Sequence, residues 1–200
     1  MVVGLREQKK QQTRAALSWA ALRLAVERGL AGVTVDDIAA EAGVSPRTFN
    51  NYFSGKHEAI VWRHLDRFAR IAELLRARPA DEPLWTALAG AAGTVFAPTE
   101  PGPTAEWTAG VRLLLAQPEL RGEFVKAASA AERELALAVG ERTGTDPDRD
   151  MYPRLVAAAV GSAVHVASEQ WLRTEPPVAL DVLLADALEQ LATGLPDPRA

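Results

Sequence analysis

Apolar residues recur at helical spacing along almost the whole chain, and this periodicity constrains the fold more than any other feature. No alternating run bounded by turn residues is long enough to indicate a sheet. We therefore predict an all-α fold of about nine helices, separated by Gly and Pro clusters. The expected helices span residues 6–28, 35–42, 46–53, 54–78, 83–96, 104–116, 118–142, 150–173 and 178–195.

Charge is distributed unevenly between the two parts of the chain. Residues 1–78 hold 13 Lys and Arg against 8 Asp and Glu, a net charge of +5. Residues 79–200 hold 9 against 18, a net charge of −9. Phosphate contacts depend on local cations rather than on the charge of the whole protein, so the first part is expected to meet a polyanion. The alternative is that the charge difference is a chance imbalance between solvated helix faces and implies no polyanionic partner.

Several classes of function are disfavoured by what the sequence lacks. The chain has no cysteine, which excludes thiolate metal sites and thiol nucleophiles. Of its three histidines, His57 and His64 share a helical face, but no third ligand lies near them in the sequence. Neither a P-loop nor a Gly-x-Ser-x-Gly motif is present. We expect no metal, no cofactor and no enzymatic activity.

The sequence also gives an expectation about location. Its longest apolar runs are too short to cross a bilayer. The N-terminus carries Arg6, Glu7, Lys9 and Lys10 and lacks the apolar stretch of a signal peptide. The expected location is the cytoplasm, without a membrane partner.

Residues 34–53 form the most informative segment, because their pattern fits a helix-turn-helix. Thr34 and Ser45 are suited to begin two short helices. Ala39 is small enough for two helices to cross closely, and Gly43 tolerates the positive φ of a tight turn. Apolar residues of the segment are expected to close a three-helix core with helix one: Ile38, Ala42, Val44, Phe49 and Phe53 against Leu17, Ala21 and Leu24.

The outward side of the second short helix carries side chains that suit DNA. Arg can pair with guanine O6 and N7, Asn with adenine N6 and N7, and Thr offers a hydroxyl and a methyl group. Backbone N–H groups at the helix start add a phosphate site. A capped helix with a solvated polar face is the alternative, but the coincidence of turn, cap and polar face favours DNA. The predicted set is Ser45, Pro46, Arg47, Thr48, Asn50, Asn51 and Tyr52.

From Lys9 to about Leu65 the chain resembles the N-terminal DNA-binding domain of TetR/AcrR-type transcriptional regulators. The resemblance rests on residues 34–39, 42–49 and 52–56. It implies that the outward set faces DNA, and that Thr34 and Lys56 hold phosphates at two helix starts. Many members of that family carry aromatic or basic residues where this chain has Asn50 and Asn51, so an operator sequence cannot be transferred.

The resemblance also implies two domains with different functions. Residues 1–54 would form the DNA-binding domain, and residues 55–200 would form an effector-binding and dimerisation domain joined to it by a long helix. Independently, residues 152–171 are apolar nearly all round, which indicates a buried helix. With the last helix they are suited to a four-helix interface with a two-fold mate. Burial in the core of one protomer is the alternative.

Aromatic and aliphatic side chains in residues 79–200 are candidates for lining an effector cavity. The alternative is that they form the ordinary hydrophobic core. Polar neighbours would orient the ligand. The stretch 113–120 and the helix end at Trp171 and Leu172 look similar to regulators that bind acyl-CoA-like ligands. The candidates are Trp85, Leu88, Phe96, Trp107, Val111, Arg112, Leu114, Phe124, His165, Ser168 and Glu169.

The sequence is therefore expected to encode a homodimeric, ligand-responsive transcriptional regulator, most simply a repressor. Two recognition helices would enter successive major grooves of a pseudo-palindromic double-stranded DNA operator. A small, largely apolar effector, of acyl-CoA type or otherwise, would alter their separation. The alternative is a helical adaptor protein. In that case DNA binding would serve only to position it, and a protein partner would dock on its C-terminal domain. An all-helical enzyme with a DNA reader is a third possibility.

Overall fold

The computed structural model describes residues 5–97, 104–173 and 178–197, and within these ranges it contains nine α-helices and no strand. The prediction of an all-α fold with nine helices is thereby confirmed for the described chain. Most predicted bounds lie within two residues of the observed ones. The helices are α1 Leu5–Arg28, α2 Val35–Glu41, α3 Pro46–Asn50, α4 Lys56–Ala77, α5 Leu84–Val95, α6 Ala105–Leu115, α7 Pro118–Thr143, α8 Met151–Arg173 and α9 Leu180–Ala192.

Two helices end three residues earlier than the sequence predicts. The helix α3 stops at Asn50 rather than at Phe53, because the backbone N–H groups of Asn51 and Tyr52 donate to carbonyls three residues earlier, at Thr48 and Phe49, which tightens the last turn. The helix α9 stops at Ala192 rather than at residue 195, because Gly194 adopts a positive φ of 83°. Apolar periodicity continues past both ends, and hydrogen bonds of the backbone decide where each helix stops.

The chain divides into two compact units. The first comprises Met1–Leu65 and Thr104–Ala127, as far as they are described, and the second comprises the described parts of Asp66–Pro103 and Ala128–Ala200. Both α4 and α7 contribute to each unit. These two units are defined by how residues pack together, whereas the predicted boundary between residues 54 and 55 separates two functions. That boundary stays a prediction.

The core of the first unit contains the three-helix cluster that the sequence predicts. Leu17, Ala21 and Leu24 of α1 are buried against Ile38 and Phe49, and the predicted residues Ala42, Val44 and Phe53 join the same cluster. Helix α1 ends at Gly29, whose φ of 76° lets the chain turn away. The predicted packing of α1 on α2 and α3 is confirmed.

Helix α6 adds a second layer to this unit by packing against α1. The ring centroids of Trp19 on α1 and Trp107 on α6 are 5.5 Å apart, and the guanidinium carbon of Arg63 lies 4.7 Å from the Trp19 ring. Leu114 and Leu120 are buried in the same core as α1. The sequence did not predict this layer, because nothing in the local pattern relates residues some ninety positions apart.

In the second unit, α9 packs against α5 and α8. The guanidinium of Arg76 donates to Glu141 at 2.7 Å and to Glu134 at 3.0 Å, and the bond from Arg76 holds the pKa of the Glu141 carboxyl below its ordinary value. Arg142 donates to the backbone carbonyls of Pro79 and Glu82. The largest fully buried side chains of this unit are Phe68, Ile71, Leu75, Leu88, Leu135 and Leu184.

Candidate nucleic-acid interface

The turn between α2 and α3 is built around a capped helix start. The hydroxyl of Thr34 accepts from the N–H of Asp37 at 3.2 Å, while the Asp37 carboxylate accepts the Thr34 hydroxyl at 2.5 Å and the Thr34 N–H at 2.9 Å. The bond from the Thr34 hydroxyl is the main reason why the pKa of Asp37 lies below its ordinary value. Gly43 takes a φ of 69°, and the N–H of Val44 donates to the carbonyl of Ala39 at 2.9 Å. A tight turn follows α2, as predicted.

The helix α3 presents a buried side and an exposed side. Ser45 caps it by accepting the N–H of Thr48 at 3.1 Å, and Pro46 occupies the first turn. Phe49 is completely buried. The structure leaves on the surface the polar side chains that the sequence assigns to DNA, and their contact with DNA stays a prediction. Ser45, Pro46, Arg47, Asn50 and Asn51 are exposed, and Thr48 and Tyr52 are half-buried.

The two predicted phosphate contacts have partners inside the protein. The ammonium of Lys56 donates to the carbonyls of Leu30 and Val33, both at 2.8 Å, and so ties α4 to the loop that precedes α2. The hydroxyl of Thr34 donates to Asp37. A lysine ammonium has three donors, so these two bonds do not use up its capacity. The role of both residues at phosphates stays a prediction.

A cleft in the first unit joins α3 to the beginning of α1. Its volume is about 730 Å³, and its lining comes from two segments of the chain. The charged residues of this part of α1 are evident in the sequence, but they were not predicted to lie at the site. The available signal was the spacing of Arg6, Lys9, Lys10 and Thr13, which lines one helical face. The lining is Arg6, Lys9, Lys10 and Thr13 together with Thr48, Asn51 and Tyr52.

The predicted effector-binding residues are divided between the two units. In the first unit, Leu114 is buried, Arg112 is exposed, and the ring of Phe124 lies 6.1 Å from that of His64. Trp107 and Val111 on α6 are half-buried. These five side chains therefore belong to the layer formed by α6 and the beginning of α7.

The other predicted effector-binding residues lie in the second unit. On α5 and at its end, Leu88 and Phe96 are buried and Trp85 is half-buried. On α8, His165 and Glu169 are exposed and lie 3.9 Å apart between the imidazole Nε2 and the carboxylate, and Ser168 is half-buried. An effector role for these residues and for those of the first unit stays a prediction.

A smaller cavity in the first unit separates α1 from α6. Its volume is about 240 Å³, and apolar side chains supply most of its lining. Only Leu114 of the predicted effector-binding residues contributes to it. The lining is Ala25, Val26, Gly29, Leu30, Gly110, Leu113, Leu114 and Gln117.

Two features are absent from the part of the chain that the structure describes. In residues 5–97, 104–173 and 178–197, no group of three or more His, Cys, Asp or Glu side chains could hold a metal ion. Over the same ranges, no helix is both long enough and apolar enough to cross a membrane.

Comparison with protein families assigns both parts of the chain. Residues 19–59 match the family described as bacterial regulatory proteins, tetR family, and residues 82–196 match the MftR C-terminal domain. The first match contains α2, the turn and α3, and the second covers more than half of the chain.

Individual relatives agree with this assignment. The chain is 32% identical over 199 residues to the HTH-type transcriptional regulator TcmR of Streptomyces glaucescens. The aligned region covers 96% of this chain and 88% of TcmR. FadR from Bacillus subtilis, solved in complex with stearoyl-CoA, has a TM-score of 0.56 at 19% identity, covering 90% of this chain and 97% of FadR. FadR from Thermus thermophilus, a TetR-family repressor solved with lauroyl-CoA, has a TM-score of 0.53 at 20% identity, with coverages of 94% and 97%. At such identities the two structures inform on the fold alone. The family matches and the similarity to TcmR together show that this chain belongs to the TetR family of bacterial transcriptional regulators.

Proposed function

We propose that this regulator is a homodimeric repressor that binds a pseudo-palindromic DNA operator and leaves it when a small, largely apolar effector binds. The observation that carries the proposal is the exposed polar face of α3, which follows a tight turn and rests on a buried phenylalanine. A rigid, capped helix with guanidinium, amide and hydroxyl groups outward is suited to the major groove.

In this proposal, the residues of α3 divide their roles by chemistry. Arg47, Asn50 and Asn51 would read base edges, because guanidinium and amide groups can form paired hydrogen bonds there. Ser45, Pro46, Thr48 and Tyr52 would fix the helix against the backbone and the groove wall. Thr34 and Lys56 would contact phosphates at the starts of α2 and α4, next to the hydrogen bonds that each makes within the protein.

Support for a homodimer comes from an exposed apolar face on α8. Met151, Leu155 and Val166 lie on one side of the helix, at spacings of four and eleven residues, and are 76%, 61% and 58% exposed. Val182 on α9 is 56% exposed. Monomeric proteins rarely leave such a face to water, and a two-fold mate would cover it with the same face of its own chain.

The ligands bound in two similar structures suggest the class of effector. The two FadR proteins hold stearoyl-CoA and lauroyl-CoA, which both combine a long apolar chain with an anionic nucleotide end. We propose an acyl-CoA-like ligand for this chain as well, contacted by the apolar candidates Trp85, Leu88 and Phe96. Such a ligand releases DNA only if it binds the DNA-incompetent state more tightly than the competent one.

The test is fluorescence anisotropy of labelled DNA from upstream of the encoding gene, titrated with acyl-CoAs of increasing chain length. We expect tight, salt-dependent and sequence-selective binding that long acyl chains release, whereas coenzyme A alone does not. Binding that no acyl-CoA or other apolar compound releases would contradict the effector proposal. A protein partner recovered at equal stoichiometry would then favour the adaptor. Absence of sequence-selective binding, also in a selection from genomic fragments, would contradict the whole proposal.

The role of Arg47 is tested by two substitutions that separate its charge from its shape. We expect Arg47→Ala to weaken operator binding by about 1–3 kcal/mol and to relax the preference at one base pair. Arg47→Lys keeps the charge but loses the two-pronged guanidinium, so it should relax the same preference and leave the salt dependence unchanged. Arg133→Ala, an exposed site on α7, is the control for general charge effects. Unchanged base preference in both Arg47 variants would disprove the assignment.

A further inference from the structure

The first two turns of α1 carry a stripe of cations. Arg6, Lys9, Lys10 and Thr13 recur at spacings of three, four and seven residues, so they lie on one face of the helix. The three charged side chains are exposed. Like charges at these spacings repel each other and weaken the helix modestly. An anion against this face would remove that repulsion. We call these four residues the α1 stripe.

The α1 stripe forms one wall of the cleft whose other wall carries Thr48, Asn51 and Tyr52. Every side chain that lines the cleft is a cation, a hydroxyl or an amide, and none is a carboxylate. Hydroxyls, amides and cations are the groups that proteins use on phosphate oxygens. The cleft is therefore suited to a phosphodiester chain.

Helix α1 is held in place directly behind the stripe. The guanidinium carbon of Arg14 lies 5.3 Å from the ring centroid of Phe53 and 5.2 Å from that of Trp62. Phe53 in turn contacts Phe49 of α3, with ring centroids 5.7 Å apart. The cation–π contacts thus join α1, just after Thr13, to the aromatic cluster under α3.

We propose that the α1 stripe is a second DNA contact, which holds backbone phosphates beside the segment that α3 reads; this inference rests on the proposed DNA-binding function. From Arg6 to Thr13 the helix rises about 10 Å at 1.5 Å per residue. One DNA strand passes about three phosphates over that axial length. The three cations together with Thr13 are spread over that length, so the stripe as a whole is long enough for about three phosphates. Contacts of this kind position the protein and carry no sequence information.

The test is operator binding by the triple variant Arg6→Ala, Lys9→Ala, Lys10→Ala over a salt titration. Loss of three phosphate contacts should lower the slope of log affinity against log salt by about 2–3. At physiological salt the affinity should fall roughly 10- to 100-fold. The order of preference among operator variants should not change. The charge-conserving variant Arg6→Lys, Lys9→Arg, Lys10→Arg should keep the wild-type slope.

A control with the same loss of charge is Arg70→Ala, Arg133→Ala, Arg149→Ala, whose three arginines are exposed in the second unit. It should bind with the wild-type slope. An unchanged slope in the α1 triple variant would overturn the inference, and so would an altered base preference. If the wild-type protein binds no operator, the proposed function fails together with the inference. Circular dichroism at equal concentration checks that the α1 variant retains its helices.

A cross-linking experiment locates the contact without relying on affinity. Because the chain has no cysteine, Lys9→Cys creates a single attachment point for a photoreactive group. We expect cross-links to nucleotides that flank each half-site. Thr94→Cys, exposed on α5 in the second unit, is the control and should give none at those positions. Absence of flanking cross-links from position 9, with intact operator binding, would overturn the inference.

Discussion

Alanine at position 49 is expected to lower the free energy of unfolding by about 3–5 kcal/mol, the range observed when a buried phenylalanine ring is removed. Phe49 is completely buried, and its ring lies 5.7 Å from that of Phe53, which is 6.2 Å from Trp62. The loss would be a large fraction of the stability of a typical domain. Because the ring supports α3 from below, operator binding should be lost together with stability. Urea unfolding, followed by tryptophan fluorescence, measures the change.

The matched control for this prediction lies one residue further along the same helix. Asn50 is exposed, so Asn50→Ala should change the free energy of unfolding by no more than about 0.5 kcal/mol while weakening operator binding. The two variants thus separate support of the helix from contact with DNA. A destabilisation below about 1 kcal/mol for Phe49→Ala would contradict the packing described for α3. Full operator binding by Asn50→Ala would argue against its role at base edges.

The double variant Leu155→Glu, Val166→Glu is expected to dissociate the proposed homodimer. In a two-fold interface each substitution occurs twice, so four carboxylates would be buried without partners. Both side chains are exposed in the protomer, at 61% and 58%, so stability of the monomer should change little. A dimer binds its second half-site at an effective concentration of about millimolar, and this advantage would disappear. Operator affinity should fall by a factor on the order of 100 or more.

Sedimentation velocity and anisotropy test this prediction together. Val125→Glu is the control, because Val125 is 68% exposed and belongs to the first unit, whereas α8 belongs to the second. It should sediment and bind like the wild-type protein. A double variant that still sediments as a dimer would show that another surface carries the association. A wild-type protein that sediments as a monomer at operator-binding concentrations would refute the dimer itself.

The local features of the DNA-binding segment could be predicted from the sequence because each depends on a few neighbouring residues. Thr34 and Ser45 are capping residues, and Gly43 permits the positive φ of the turn, so short-range rules apply to all three. The burial of Phe49 followed from its position on a helical face. The end of α3 at Asn50 could not be predicted in this way, because the last N–H groups donate to carbonyls three rather than four residues earlier, and apolar periodicity contains no signal for this.

Features that depend on distant residues could not be predicted. The ammonium of Lys56 reaches carbonyls at Leu30 and Val33, which lie 26 and 23 residues earlier. Trp107 packs on Trp19 across an even longer separation. The predicted effector residues were selected for helical spacing alone, which does not distinguish a cavity wall from ordinary core. The stripe on α1 was visible in the sequence, but its place beside α3 needed the cleft.

The discontinuity of the first unit affects the order in which the protein is made. When residue 65 leaves the ribosome, the layer that contains Leu114 and Leu120 has not been synthesised, although both side chains are buried in the same core as α1. At a translation rate of about 5–20 residues per second, the missing layer arrives roughly 3–12 seconds later. During that interval, the nascent helix-turn-helix exposes apolar surface of α1. The core of the first unit can therefore be completed in a newly made chain only after this interval, whereas a chain refolding from denaturant has every layer available at once.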